Sequence, residues 1–183
     1  DPDIIMGGEI RDQATAEMAV QAALTRHLVL STLHTNDAPT AISRLLDLKM
    51  PAHLIKATLN GVMAQRLVRT LCPDCRSEVD VDQALWHEMV GSTELAAPAK
   101  VYQPGGCLEC RNTGYLGREG IYEIMPLTDA LLTYINSATD IQEIRRVAIS
   151  QGMKTLRMAG AEKVAAGITS MEEVLRVTPE LGR

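Results

Sequence analysis

The chain has 183 residues, of which 46% are hydrophobic, and this is enough to form one large domain or two small domains with buried cores. Its net charge of −5 and its aromatic content of 3% argue against a general nucleic-acid-binding protein, which needs a basic face or aromatic platforms for base stacking. The sequence has no apolar run near the roughly 18 residues that cross a bilayer, and its acidic start is unlike a signal peptide, so we expect a cytoplasmic protein.

The N-terminal part of the sequence predicts a parallel β-sheet. Residues 4–10 and Leu28–Leu33 are short, almost wholly apolar runs, which are typical of strands that are buried on both faces. The Ala-rich segment Gln13–Thr25 between them predicts a helix, with Asp12 available as its N-cap. This strand–helix–strand order indicates an α/β fold.

Two more helices are predicted before the first cysteine. Asn36 and Asp37 can cap the first of them, in which apolar residues recur at helical spacing over residues 38–46. The second is predicted over His53–Leu71. We therefore expect residues 1–71 to form one domain.

The character of the sequence changes at Cys72. Prolines, glycines and cysteines replace helical periodicity over Cys72–Arg118, apart from a short predicted helix near Val81–Val90, so residues 72–118 are predicted to form a loop-rich subdomain. A strand over Gly120–Met125 and a mainly helical region complete the predicted third part, residues 119–183. The predicted helices of that part are Asp129–Asn136, Ile141–Gln151, Thr155–Ala166 and Met171–Val177. Capping-box patterns mark the starts of two of them, Thr139-x-x-Gln142 and Ser170-x-x-Glu173.

The four cysteines form two CxxC pairs, Cys72/Cys75 and Cys107/Cys110. Two such knuckles supply the tetrahedral set of four thiolates that Zn²⁺ prefers, and four protein ligands leave no open position, so the pattern predicts a structural zinc site. A redox CxxC motif is the competing interpretation. It is disfavoured because there are two pairs and neither lies in a thioredoxin-like βαβ context.

Two polar residues stand at the ends of the two predicted strands, Glu9 near the end of the first and His34 directly after the second. Ligands of open α/β sheets bind at the carboxyl ends of strands, where a carboxylate can orient or activate water and a histidine can sense a phosphate oxygen. The competing interpretation is local, since Glu9 and Asp12 can cap the helix that follows them and the segment after His34 can be a turn and an N-cap. Periodicity alone favours the local interpretation.

Several short motifs follow one another in a fixed order along the chain. They are Gly8–Asp12, Leu28–Ala38, Ala64–Arg69, Gly106–Cys110, Thr113–Tyr115, Gly117–Arg118 and Gly167–Val177. Together they resemble the motifs of the ATPases of type II secretion and type IV pilus assembly, in which the first two are the Walker B and histidine boxes. The resemblance covers nearly the whole chain except about Ser77–Val101, and it favours the catalytic interpretation of Glu9 and His34.

The resemblance implies that the full-length protein is a hexameric, RecA-like, Mg²⁺-dependent ATPase at the cytoplasmic face of the inner membrane. It would act with inner-membrane platform proteins and drive the assembly of pseudopilus or pilus subunits. Glu9 would activate the attacking water and His34 would lie near the γ-phosphate. Residues 1–71 would be part of the RecA-like core, residues 72–118 the tetracysteine zinc subdomain and residues 119–183 a helical C-terminal region.

The four cysteines distinguish two groups within the family that the chain resembles. The assembly and secretion ATPases have them, and the retraction ATPases lack them. The resemblance therefore implies extension or secretion and not retraction. The shared motifs do not distinguish type II secretion from pilus assembly.

A phosphate-binding loop is expected to lie outside this sequence. The 183 residues contain no Gly-x-x-x-x-Gly-Lys-Ser/Thr motif, and the chain opens on Asp1 without a starting Met, which suggests a piece of a longer protein. Without the amides and the lysine that cradle the phosphates, we expect weak nucleotide affinity and no ATPase activity from this chain alone.

An alternative function is a zinc-ribbon module that binds a protein and performs no chemistry. The acidic charge disfavours a nucleic-acid partner but is compatible with a protein partner. A further alternative assigns the C-terminal helices to oligomer packing, although their apolar positions equally fit a core within one chain.

Overall fold

The computed structural model of the chain describes residues 3–91 and 95–180. These residues divide into two units, one made of residues 3–64 and 124–153 and the other of residues 65–91, 95–123 and 154–180. No helix in the described part is long and apolar enough to cross a membrane. The elements, in chain order, are β1 (Ile4–Met6), α1 (Gln13–Leu24), β2 (Leu28–Leu30), α2 (Thr40–Asp47), α3 (Ala52–Thr58), β3 (Gly61–Leu71), β4 (Ser77–Asp80), α4 (Gln83–Val90), β5 (Lys100–Gln103), β6 (Tyr115–Pro126), α5 (Asp129–Thr133), α6 (Ile141–Ser150), α7 (Leu156–Ala165) and α8 (Met171–Val177).

The predicted strand–helix–strand arrangement at the N-terminus is confirmed. Strands β1 and β2 pair in parallel, and α1 connects them. The carboxylate of Asp12 accepts a hydrogen bond from the backbone N–H of Thr15 at 2.8 Å, so Asp12 is the N-cap of α1 as its position predicted.

The prediction that these two strands are buried on both faces is wrong for the described residues. One face of the pair carries Ile4, Met6, Leu28 and Leu30, and their exposed fractions range from 46% to 83%. The sheet has two strands in the part of the chain that the structure describes, and a parallel sheet is normally covered on both faces by further layers. The apolar runs in the sequence predicted the two strands correctly. They did not indicate that one face of the pair would be exposed in the described residues.

The helix predicted over His53–Leu71 is also wrong. Helix α3 ends with Leu59 as its C-cap, and Gly61–Leu71 form the long strand β3, which pairs with β6. Ala, Leu, Met, Gln and Arg in this segment favour helices locally, but pairing with a strand more than 40 residues away outweighs that weak preference.

Each unit has its own apolar core. In the first unit α2 contacts α3 and α6, and α5 contacts α6. In the second unit α4, α7 and α8 contact one another, and α7 contacts β5, which pairs antiparallel with β4. The large side chains that are almost fully buried include Ile42, Ile55, Leu131 and Ile144 in the first unit and Met89, Leu156, Ile121 and Val68 in the second.

Candidate functional site

The chain segments that follow β1 and β2 stay paired beyond the ends of the strands. The N–H of Gly7 donates to the carbonyl of Leu30 at 2.8 Å, and the N–H of Ile10 donates to the carbonyl of Thr32 at 2.8 Å. The hydroxyl of Thr32 also donates to the carbonyl of Gly8 at 2.8 Å. These three bonds hold the two segments side by side at the carboxyl edge of the sheet.

Glu9 and His34 contact each other at this edge. The Nε2 atom of His34 lies 2.9 Å from Oε2 of Glu9, and Arg11 Nη2 lies 2.5 Å from Oε1 of Glu9. Hydrogen bonds from Arg11 and then from His34 hold the pKa of Glu9 below its ordinary value. Glu9 is therefore a carboxylate at neutral pH, which is the form that accepts a proton or orients water.

An open cavity of about 220 Å³ lies beside His34. Hydroxyl and charged side chains dominate its lining, so it suits a polar or charged ligand better than an apolar one. The lining residues are His34, Thr35, Asn36, Thr40, Ser43, Arg44 and Asp47.

Sequence reasoning did not identify the contribution of α2 to this cavity, or the contact of Arg11 with Glu9. A signal for the former was present, because Thr40, Ser43, Arg44 and Asp47 follow the i, i+3, i+4, i+7 spacing of one helix face. This polar face is opposite the apolar face that was used to predict the helix. A polar stripe that begins six residues after a candidate site residue was therefore a usable indication.

The four cysteines lie together in the second unit, as their spacing predicted, and all four are free of disulfide bonds. Their sulfur atoms all lie within 4.8 Å of one another. The Sγ–Sγ distance is 3.8 Å for Cys72 and Cys107, 3.7 Å for Cys75 and Cys110, and 3.6 Å for Cys107 and Cys110. Four thiolates bound tetrahedrally to zinc at 2.3 Å would have their sulfurs about 3.8 Å apart. The geometry therefore fits a tetrahedral metal site.

The surroundings of the sulfurs also fit metal-binding knuckles. Burial raises the pKa of Cys110, but backbone N–H groups of Cys107 and Gly114 donate to its sulfur at 3.3 and 3.2 Å and lower the pKa to about 6. Burial raises the pKa of Cys75 to about 12. A bound cation would supply the positive charge that such a group of thiolates needs.

A glycine allows the two knuckles to approach each other. A Cβ atom at Gly105 would lie 2.2 Å from the carbonyl oxygen of Cys75, which is closer than any real contact. Gly105 lies two positions before Cys107, the first residue of the second CxxC pair, so a side chain here would push the two pairs apart.

A buried carboxylate fixes the end of β3 directly before Cys72. Glu173 on α8 has no exposed side-chain surface, and its Oε2 lies 2.6 Å from Nη2 of Arg69 on β3. Arg176 also donates to Glu173, at 2.7 Å, and the guanidinium of Arg69 stacks over the ring of Tyr115 at 4.0 Å. These contacts join β3, β6 and α8 around the start of the cysteine subdomain.

Comparison with known proteins supports one family. The sequence profile of the family described as "Type II/IV secretion system protein" matches residues 1–176. The chain is 55% identical over 179 residues to the type IV pilus assembly ATPase TfpB of Acinetobacter baylyi, covering 98% of this chain and 31% of that protein. It is 48% identical over 180 residues to the type II secretion system protein E of Dickeya dadantii, covering 98% of this chain and 35% of that protein. The chain thus spans about a third of the length of the curated relatives that it matches.

Solved structures show which fold the chain has. The pilus retraction motor PilT with bound ADP superposes with a TM-score of 0.64 at 24% identity, covering 99% of this chain and 41% of that chain. The ATPase DotB of Legionella pneumophila superposes with a TM-score of 0.63 at 20% identity, covering 97% of this chain and 38% of that chain. At these identities the likeness shows an α/β ATPase fold and nothing finer. Together with the profile and the close relatives, which confirm the family expected from the motifs, it shows that the chain belongs to the type II/IV secretion system protein family.

Proposed function

We propose that this chain is part of a motor ATPase that hydrolyses ATP to drive the assembly of a type II secretion pseudopilus or a type IV pilus. Its relatives carry names of this kind: one is a type IV pilus assembly ATPase and another a type II secretion system protein. The observation that carries the proposal is the 2.9 Å contact between Glu9 and His34 at the carboxyl edge of two parallel strands.

Each residue at this edge has a role in the proposed reaction. Glu9 is ionised and acts as the base that orients or activates the attacking water. The side chain of His34 is mostly exposed, and its imidazole donates a hydrogen bond to, or accepts one from, a ligand that enters the cavity beside it. Mg²⁺, bound with ATP in the full-length protein, would supply positive charge that offsets the negative charge of the phosphates.

The four cysteines would hold a structural zinc ion in the proposed function. The close grouping of their sulfurs supports this role. Zinc with four thiolate ligands has no open position for water or substrate, so it would stabilise the loops of residues 72–118 and take no part in hydrolysis.

The proposal includes the organisation and setting of the full-length protein. Residues 1–71 contribute part of a RecA-like core, residues 72–118 the zinc subdomain and residues 119–183 a mainly helical C-terminal region. The full-length protein would form a homo-hexamer on the cytoplasmic side of the inner membrane, held there by platform proteins, and would not bind nucleic acid. The 183-residue chain alone would not hydrolyse ATP, since it has no phosphate-binding loop motif.

One observation favours a second function, a zinc-ribbon module that binds a protein partner. Leu108, between the ligands of the second CxxC pair, is 89% exposed, as is common for an apolar anchor at an interface. The two functions differ in their dependence on Glu9. Mg²⁺-dependent ATP hydrolysis by the full-length protein, compared between the wild type and Glu9→Gln, distinguishes them, because only the ATPase requires the carboxylate.

A further inference from the structure

A buried ion pair lies behind the candidate catalytic edge, within the first unit. Asp37 Oδ2 lies 2.7 Å from Nη2 of Arg145 on α6, and the two side chains are 5% and 13% exposed. The residues are 108 positions apart in the sequence. Neither Arg145 nor its helix belongs to the motifs that were recognised from the sequence.

Asp37 fixes the backbone on both of its sides. Its Oδ1 accepts a hydrogen bond from the N–H of Thr40, the first residue of α2, at 3.0 Å. Its own carbonyl accepts hydrogen bonds from the hydroxyls of Thr35 and Thr40, at 3.1 and 3.0 Å. The segment from Thr35, directly after His34, to the start of α2 is thus organised around Asp37.

Arg145 depends on Asp37 for its counter-charge. The Nε atom of Arg145 is buried and has no hydrogen-bond partner among residues 3–91 and 95–180. Taking a guanidinium out of water is costly unless an opposite charge compensates, and Asp37 provides that charge. The pair therefore links the segment to α6.

His34 lacks such support of its own. Its side chain is 84% exposed and contacts Glu9 at 2.9 Å, so surrounding packing does not fix it. Its place opposite Glu9 therefore depends on the backbone that carries it. That backbone continues directly into the segment that Asp37 and Arg145 hold.

We propose that Arg145 is a positioning residue, which holds His34 opposite Glu9 by anchoring Asp37. This inference rests on the proposed ATPase function, in which the Glu9–His34 edge is the hydrolytic half of the site. Arg145 touches neither Glu9 nor His34 among the contacts of the described residues, so it acts through the loop and not on the substrate.

The test compares two neighbouring arginines of α6 in the full-length protein. Arg145→Met removes the charge and keeps much of the aliphatic volume. Arg146→Met is the matched control, because Arg146 is 72% exposed and pairs with Glu143 on the same helix. We expect Arg145→Met to lower kcat about 10- to 100-fold with less than about a 3-fold change in KM for ATP, and Arg146→Met to leave both near the wild type.

A second variant keeps the proposal testable where Arg145→Met does not fold. Asp37→Asn removes the charge but keeps an oxygen that can accept the hydrogen bond from Thr40. We expect the same loss of kcat, and no further loss in the double variant, because both changes break one interaction. Additive losses in the double variant would contradict a shared role.

The outcomes separate this inference from the proposed function. If the wild-type full-length protein does not hydrolyse ATP, the proposed function is wrong. If it does, and His34→Ala abolishes turnover while folded Arg145→Met or Asp37→Asn keeps the wild-type kcat, the positioning role is wrong. NMR of the 183-residue chain gives a readout without catalysis: the His34 ring signals should shift in Arg145→Met and stay in place in Arg146→Met.

Discussion

His34 Nε2 lies 2.9 Å from Glu9 Oε2, although a helix and 25 positions of sequence separate the two residues. The contact exists because the segments beyond β1 and β2 remain hydrogen-bonded to each other after the strands end. It combines a carboxylate, held ionised by Arg11 and His34, with an exposed imidazole beside an open polar cavity. These are the elements that the proposed ATPase would use.

Loss of one cysteine should release the zinc. Cys110→Ser removes one of four thiolates, so metal analysis of the purified chain should fall from about one zinc per chain to far less, with loss of ordered structure in residues 72–118. Leu108→Ser is the matched control, since Leu108 lies between two ligands but is exposed and has no sulfur. An unchanged metal content in Cys110→Ser would contradict the assignment of the four cysteines as a zinc site.

A methyl group at Gly105 should disturb the same site without changing a ligand. Gly105→Ala places a Cβ atom 2.2 Å from the carbonyl oxygen of Cys75, so the chain must shift. We expect a cost of about 1–3 kcal/mol in the free energy of unfolding, together with weaker zinc retention against a chelator. Gly8→Ala is the control for stability, because among the described residues no atom beyond its chain neighbours lies within 4 Å of the Cβ position there. Equal stability and equal zinc retention in both variants would show that the knuckles are not closely packed at Gly105.

The ion network at Glu173 should make stability depend on pH in acid. Burial raises the pKa of Glu173, but hydrogen bonds from Arg176 and Arg69 outweigh this effect and lower the pKa to about 2. Because this folded-state pKa is below the ordinary value, the contribution is present above about pH 5 and is lost as the pH falls towards 2. The contribution of this carboxylate to the free energy of unfolding is on the order of 2–3 kcal/mol.

The check is urea unfolding of the 183-residue chain at several values of pH. Glu173→Gln should lower the free energy of unfolding at pH 7 and reduce its dependence on pH in the acid range. Glu172→Gln, an exposed neighbour on the same helix, should behave like the wild type. The network would have no such role if Glu173→Gln and the wild type lost stability in parallel with falling pH.

The sequence predicted those features that depend on neighbours in the chain or on strict spacing. Asp12 caps α1, the two N-terminal strands pair in parallel, and the CxxC pairs come together, each as expected. Local chemistry specifies each of these features: a capping oxygen, apolar strands on either side of a helix, and sulfurs spaced for one ion.

Contacts between distant residues were not predictable in this way. Capping-box patterns predicted Thr139 and Ser170 as N-caps. Ser170 does cap α8, but the cap of α6 is Asp140 and not Thr139, because the carboxylate of Asp140 accepts the hydrogen bond from the N–H of Gln142. The carboxylate of Glu173, however, binds Arg69, which is 104 residues away, and Arg176. Similarly, the helix-forming composition of β3 gave no indication of its pairing with β6, and nothing near Asp37 indicated Arg145.

The most direct test of the account is the steady-state ATPase activity of the full-length protein with Glu9→Gln. The substitution keeps the size of the side chain and removes the carboxylate, so Mg²⁺-dependent turnover should fall by a factor on the order of 100 or more. Glu17→Gln, an exposed carboxylate on α1, should keep wild-type turnover. Turnover at the wild-type rate in Glu9→Gln would contradict the assignment of the Glu9–His34 edge as the hydrolytic half of the site.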